Sequence, residues 1–135
     1  MSETTNRFVV EIGAGELFDR LTILELKARH AKSPLQRRRV SRELRRSRGL
    51  NHQSDLLFGQ IAPLISELRE VNERLWELED QLRIREANQD FGPAFVELSR
   101  AVYKNNDQRA TVKRRIDEPV SPTFLQDKIY ASSGG

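Results

Sequence analysis

Leu57, Ile61, Leu64, Leu68, Val71, Leu75, Leu78 and Leu82 follow one another at alternating spacings of four and three. That interval becomes a single apolar stripe only on an α-helix, and its persistence over more than three heptads gives it coiled-coil character. The pattern predicts one helix over residues 56–87, roughly 48 Å long at 1.5 Å per residue. Pro63 lies inside it and is expected to kink the helix or mark its true first turn. Any fold of this chain must give that stripe something to pack against.

The rest of the sequence supplies helices. Leu17, Leu21, Leu24, Ala28 and Ala31 share one face of a first helix predicted over residues 16–30. Before it, Phe8, Val10 and Ile12 alternate with Val9 and Glu11, so residues 1–12 form an extended arm, either a short strand or an arm packed at an edge. Gly13-Ala14-Gly15 separates arm from helix, as a flexible hinge or as free amides able to receive an anion. Ser33-Pro34-Leu35-Gln36 opens a second helix, with Ser33 as cap, Pro34 at the first helical position and Gln36 completing a capping box. Gly49 stops this helix, which has only Leu35, Val40 and Leu44 to bury, and a polar loop follows over 51–55.

Asp90-Phe91-Gly92-Pro93 opens a last helix, where Phe95, Leu98, Val102, Val112 and Ile116 share a face until Pro119 and Pro122 close it. Residues 124–130 read as a short tail and 132–135 as unstructured. The expectation is one all-α domain of 135 residues, with an arm over 1–12, a helical bundle or pair of hairpins over 16–118 and a tail over 119–135. A central helix longer than its partners leaves apolar surface over, which a second copy would cover as a homodimer.

The chain has no cysteine, so disulfides and thiolate metal sites are excluded, in keeping with a reducing compartment. No apolar run approaches the ~20 residues that cross a bilayer, which points to the cytoplasm. The formal charge of +3 hides a strong asymmetry: residues 32–50 hold eight basic groups and one acidic, residues 51–90 four basic and nine acidic. Arg37, Arg38, Arg39, Arg42, Arg45, Arg46 and Arg48 make the second helix a basic patch. Such a patch can neutralise phosphates in salt-sensitive nucleic-acid binding. No aromatic residue is interleaved for base stacking, however, and packing against the acidic stretch, within the chain or across a dimer, is the simpler account. The helix lacks the apolar face that a membrane surface requires.

On the last helix, the apolar spacing passes through Asn105 and Arg109 before resuming at Val112. A buried arginine costs several kcal/mol unless paired, so a carboxylate or bound anion must lie within reach. Asn106 and Asp107 sit beside these positions, and Tyr103 and Lys113 flank them. A second stripe, Asn72, Trp76, Glu79 and Arg83, borders the seam of the long helix. Phe18, Thr22, Glu25 and Arg29 do the same on the first, with Glu16 and Asp19 near its start.

These residues admit three readings. One is a structural network, with Glu79 pairing Arg83 and another carboxylate neutralising Arg109. Another is a ligand pocket, with Arg109 and Lys113 holding an anionic group and Trp76 or Tyr103 stacking on a ring or sugar. The third is magnesium-dependent hydrolysis, since Glu16 with Asp19 and Glu77 with Asp80 place carboxylates three residues apart, as in all-helical pyrophosphohydrolases. His30 and His52 have no metal-ligand partners in sequence and read as surface histidines. Neither a Ser-His-Asp set nor a glycine-rich nucleotide loop is present.

Gly15-Glu16-Leu17, Leu21-Thr22-Ile23-Leu24-Glu25 with Lys27, Val71-Asn72, Leu75-Trp76, Glu79-Asp80, Val102-Tyr103, Asn106-Asp107, Arg109-Ala110 and Lys113, with Lys128 and Tyr130, cover nearly the whole chain. In these motifs the chain resembles a bacterial family catalogued as domain of unknown function 6165. The resemblance implies no assigned activity. It does imply a setting beside glycosyltransferases and cell-surface polysaccharide genes, hence work on sugar nucleotides or glycans. The arginine-dense second helix departs from the family's pattern.

The resulting expectation is a non-catalytic binding or scaffold protein, without cofactor or metal, that engages an anionic ligand or a partner glycosyltransferase. Arg109 and Lys113 would contact the anion, Glu16, Glu25 and Glu79 would balance them, and Asn72 and Asn106 would orient. Asp19, Thr22, Trp76, Tyr103 and Asp107 complete the expected ligand-binding set.

Overall fold

A computed structural model describes residues 5–48 and 55–124, with the side chains of residues 47–48 and 55–58 outside the description. The Gly49 stop, the 51–55 loop apart from the first residue of its following helix, His52, the side chains of Arg48 and Leu57, Lys128, Tyr130 and the tail beyond Phe124 all lie outside the described residues. The fold is all-α, with α1 at Ala14–His30, α2 at Pro34–Arg48, α3 at Asp55–Ala87 and α4 at Pro93–Val120, then a 3₁₀ turn at Pro122–Phe124. Among the described residues no helix is long and apolar enough to cross a membrane.

α3 and α4 form an antiparallel hairpin, as the pairs Glu67 with Arg115 and Arg74 with Asn105 require. α1 lies across both helices, and α2 packs only on α1 among the described residues. The expected stripe does face the core: Ile61, Leu68, Val71 and Leu75 are buried. Phe18 and Leu21 of α1 and Val112 and Ile116 of α4 meet it, with Leu44 of α2 packed against the cluster. α1 is only 17 residues against 33 for α3, so it covers part of the hairpin. Leu78 and Leu82 are accordingly half-buried, and near the hairpin's closed end Ile84 and Phe91 are exposed.

Several local expectations are corrected. α3 runs through Pro63 as one helix. Pro63 therefore does not mark the first turn, and its exposed position leaves one i to i−4 backbone hydrogen bond unmade inside the helix. α4 likewise carries Pro119 within its last turn. The arm is neither strand nor edge-packed, since residues 5–13 have no regular structure and Phe8 and Val9 are 91% and 96% exposed. In α2 the Ser33 hydroxyl accepts the Gln36 N–H at 3.2 Å, but the Gln36 side chain reaches back to the Lys32 N–H, at 3.0 Å, one residue earlier than the capping box requires.

α3 ends with Gln89 at φ 53°, while the Asp90 N–H donates to the Arg85 carbonyl and the Gln89 N–H to the Glu86 carbonyl. That is a Schellman ending with glutamine in the left-handed position glycine usually takes.

Candidate functional site

α1 begins without a capping side chain of its own. The first N–H groups of a helix still need acceptors, and α4 supplies them. Asp117 Oδ1 accepts the Gly15 N–H at 2.8 Å, and Ser121 Oγ accepts the Ala14 N–H at 3.2 Å. A Cβ on Gly15 would collide with the Lys113 carbonyl, and one on Gly13 would lie 2.8 Å from Asp117 Oδ1 and from Phe124 Cβ. Gly13-Ala14-Gly15 is therefore a close-approach element rather than a hinge, and the anion on its amides is the chain's own Asp117. Burial pushes the Asp117 carboxyl up, against the lowering effect of the Gly15 N–H and Lys113.

One turn further along α1, Asp19 is buried with only 3% of its side chain exposed. Arg109 of α4 grips it with one edge of its guanidinium, Nε donating to Oδ1 at 2.8 Å and Nη2 to Oδ2 at 2.5 Å. This two-point geometry is among the stronger pairings available to a carboxylate. Asn72 of α3 donates its amide to Asp19 Oδ1 at 3.0 Å and to Thr22 Oγ1 at 2.9 Å, and the Thr22 hydroxyl donates to the Asp19 carbonyl. Lys113, one turn from Arg109, binds Glu16 at 2.6 Å and approaches Asp19 Oδ2 at 3.8 Å. Spacings of three on α1 and four on α4 thus place Glu16, Asp19 and Thr22 against Arg109 and Lys113, with Asn72 closing the layer.

Burial alone would raise the Asp19 carboxyl. The hydrogen bonds from Arg109 and Asn72 and the charges of Arg109 and Lys113 outweigh it and hold Asp19 below the usual carboxylate range. The Arg109 guanidinium is raised, first by its hydrogen bond to Asp19, against burial, with added attraction from Asp19, Glu16 and Glu79. Every fully buried side-chain nitrogen or oxygen among the described residues has a partner.

Six expected site residues thus come together, and the others stand apart. Glu25 pairs with Arg69 at 3.0 Å instead of serving Arg109 or Lys113. Glu79 is exposed and reaches Arg109 only through its field. Arg83 pairs with Asp80 at 3.5 Å, not with Glu79. Asn105 accepts from Arg74 at 3.1 Å and donates to the Ala101 carbonyl. Tyr103 is exposed, while Asn106 and Asp107 are half-buried on α4, where the Asp107 carbonyl accepts the Thr111 hydroxyl. Trp76 lies further along the crevice and stacks on His30, ring centres 4.7 Å apart.

A cavity of about 260 Å³ opens beside the layer, between α1, α2 and α4. Glu16, Asp19, Arg20, Lys27, Glu43 and Arg109 line it. Among the described residues no group of three His, Cys, Asp or Glu side chains is placed to hold a metal. Asp19 and Glu16 already carry Arg109 and Lys113, and Glu77 and Asp80 are exposed on α3.

Among the described residues, α2 with its basic stretch does not pack on the acidic α3. Arg37, Arg38, Arg39, Arg42, Arg45 and Arg46 are all exposed. The acidic residues Glu67 and Glu73 of α3 are paired instead with Arg115 and Arg29.

Fold and site together define an all-helical protein with a paired carboxylate–guanidinium layer held between three helices. The model of the family of unknown function DUF6165 matches residues 8–133, and the chain belongs to that family. No curated protein matches the chain. No solved structure matches it either.

Proposed function

We propose that this protein is a non-catalytic helical binding protein that takes a small anionic ligand in the crevice between α1, α2 and α4, in the service of surface-glycan synthesis or of a partner glycosyltransferase. The observation that carries the reading is the way the charges around the 260 Å³ cavity are distributed. Arg109 and Lys113 neutralise Asp19 and Glu16 from behind, so the α1 side of the opening presents Arg20 and Lys27, both exposed, to an incoming anion, two cations against the one carboxylate, Glu43, that α2 adds to the lining. The paired layer fixes where those cations stand. Because Arg109 is held by Asp19, its role shifts from direct anion contact toward that of the cavity's rigid wall.

The test is a thermal-shift titration with inorganic pyrophosphate. A ligand at a hundred times its Kd adds about 2.7 kcal/mol of stability. The double variant Arg20→Ala/Lys27→Ala is expected to melt like the parent without ligand and to lose the pyrophosphate response. No rise at millimolar pyrophosphate, or a rise the double variant keeps, overturns the reading. A rise with magnesium alone that Glu16→Gln abolishes would instead favour metal-assisted hydrolysis.

The same reading includes a homodimer joined at the closed end of the α3–α4 hairpin, supported by the exposure of Ile84 and Phe91 there. Ile84→Glu should then shift a dimer to monomer in light scattering. A second reading rests on α2, whose open arginine face suits a polyanion. Binding to duplex nucleic acid that weakens steeply between low and moderate salt would support it, and no binding at low salt would end it.

A further inference from the structure

Along the crevice from Arg109, α1 carries Asp19, then Lys27, then His30. Lys27 lines both the cavity at Arg109 and a neighbouring cavity of about 310 Å³ bounded by Gln36, Arg39, Val40, His30 and Trp76. A further cavity of about 290 Å³ touches the same His30–Trp76 pair from the side of Arg29, Glu73 and Glu77. The crevice therefore has an aromatic end and a cationic middle, with Asp19 and His30 about 16 Å apart along α1 at 1.5 Å per residue.

The aromatic end has a definite shape. His30 and Trp76 are close to parallel, with 17° between their planes and 4.7 Å between ring centres. The indole thus already accepts a flat nitrogen heterocycle on its face, and His30 is an exposed side chain at the last residue of α1. The adjoining cavity is at the lower end of the ~300–1,000 Å³ typical of small-molecule sites.

From these features we infer that the crevice binds a nucleoside diphosphate or a compound built on one, its base stacked on Trp76 and its phosphates lying over Lys27 and Arg39. A base offers the flat π-face that Trp76 takes from His30, and the phosphates match the two cations beside it. A lone phosphate would use only the cationic part, and a neutral ring only the indole. This assignment rests on the anion-binding reading above and names the ligand class.

Trp76 is the chain's single tryptophan, so tryptophan emission, excited beyond the absorption of the two tyrosines, reports on this site alone. The full chain is titrated with UDP and ADP, and with pyrophosphate and uridine as partial ligands, recording Trp76 emission and melting temperature together. Saturable quenching by the nucleoside diphosphates is expected, at a Kd at least tenfold below that for pyrophosphate, with Trp76→Leu weakening binding by about tenfold or more in the thermal assay. Trp76→Phe keeps a stacking face and should retain most of the affinity, and Lys27→Ala should raise Kd for nucleotide and pyrophosphate alike.

If pyrophosphate stabilises the protein while nucleotides bind no tighter and leave Trp76 emission unchanged, the base-stacking assignment fails and the anion-binding reading stands. If nucleotides stabilise Trp76→Leu as well as the parent, the assignment also fails. Silence toward every ligand overturns both.

Discussion

Replacing Arg109 with alanine strips the partner from a carboxylate that is almost wholly out of water. Asp19 would keep Asn72 at 3.0 Å on one oxygen, but the nearest remaining cation, Lys113, stands 3.8 Å from the other and is engaged by Glu16. Breaking a buried pair on one side costs about 3–5 kcal/mol, mostly from the stranded charge. At a few degrees per kcal/mol for a domain of this length, melting should fall by roughly 10–20 °C.

Removing both charges is a different perturbation. Asp19→Leu with Arg109→Met leaves no stranded ion and should recover most of that loss, so a double-variant cycle by urea denaturation should give coupling of about 2–3 kcal/mol. The gap between parent and Arg109→Ala should also depend on pH. The folded protein holds the Asp19 carboxyl below its unfolded value, so its stabilisation is complete above the usual carboxylate range and disappears as pH falls through the folded value. The two proteins should therefore converge in acid. An Arg109→Ala cost under about 1 kcal/mol at neutral pH, or a gap that widens in acid, would refute the argument that this pair is buried and coupled.

Gly15→Ala should cost about 2–3 kcal/mol in urea unfolding, because the new methyl meets the Lys113 backbone carbonyl, which cannot rotate away. Asp117→Asn keeps an oxygen for the Gly15 N–H. Because folding raises the Asp117 carboxyl, its ionisation costs stability as pH rises through the folded value, so the variant should equal the parent in acid and match or exceed it at pH 7. A loss above ~1.5 kcal/mol at pH 7 would show instead that the charged acceptor is required. Gln89→Gly should stabilise by about 0.5–1 kcal/mol in thermal unfolding by relieving a side chain at φ 53°.

Much of the fold is visible in the sequence because periodicity reports which face is buried. The stripe from Ile61 to Leu75 and the break at Asn105 and Arg109 both follow from spacing. Spacing also required a carboxylate or a bound anion near Arg109, since an unpaired guanidinium inside a helical seam is too costly. It put Glu16, Glu25 and Glu79 forward as the counter-charges and passed over Asp19 for that role, although all four sit at acceptable helical intervals. That choice depends on the angle at which α1 crosses the hairpin, a property no single helix carries.

The Asp117 and Ser121 caps escaped for the same reason. They belong to α1 but are supplied from more than a hundred positions away in the chain. The available signals were a Gly-X-Gly at a helix start without its own cap and an aspartate one residue after buried Ile116. The free basic face of α2 also lay beyond reach, since segment charges attract whether or not the elements touch.

The caps borrowed by α1 bear on how the polypeptide acquires its shape. On a ribosome, the early segment holding Gly15 emerges long before Asp117, and until then its leading amides lack their native acceptor. Docking of that segment must await completion of the hairpin, so closure over a separation of 102 residues should be a late, slow event. A truncation ending just before Asp117 would leave the opening turn of the first helix frayed while the hairpin's distal half stayed intact.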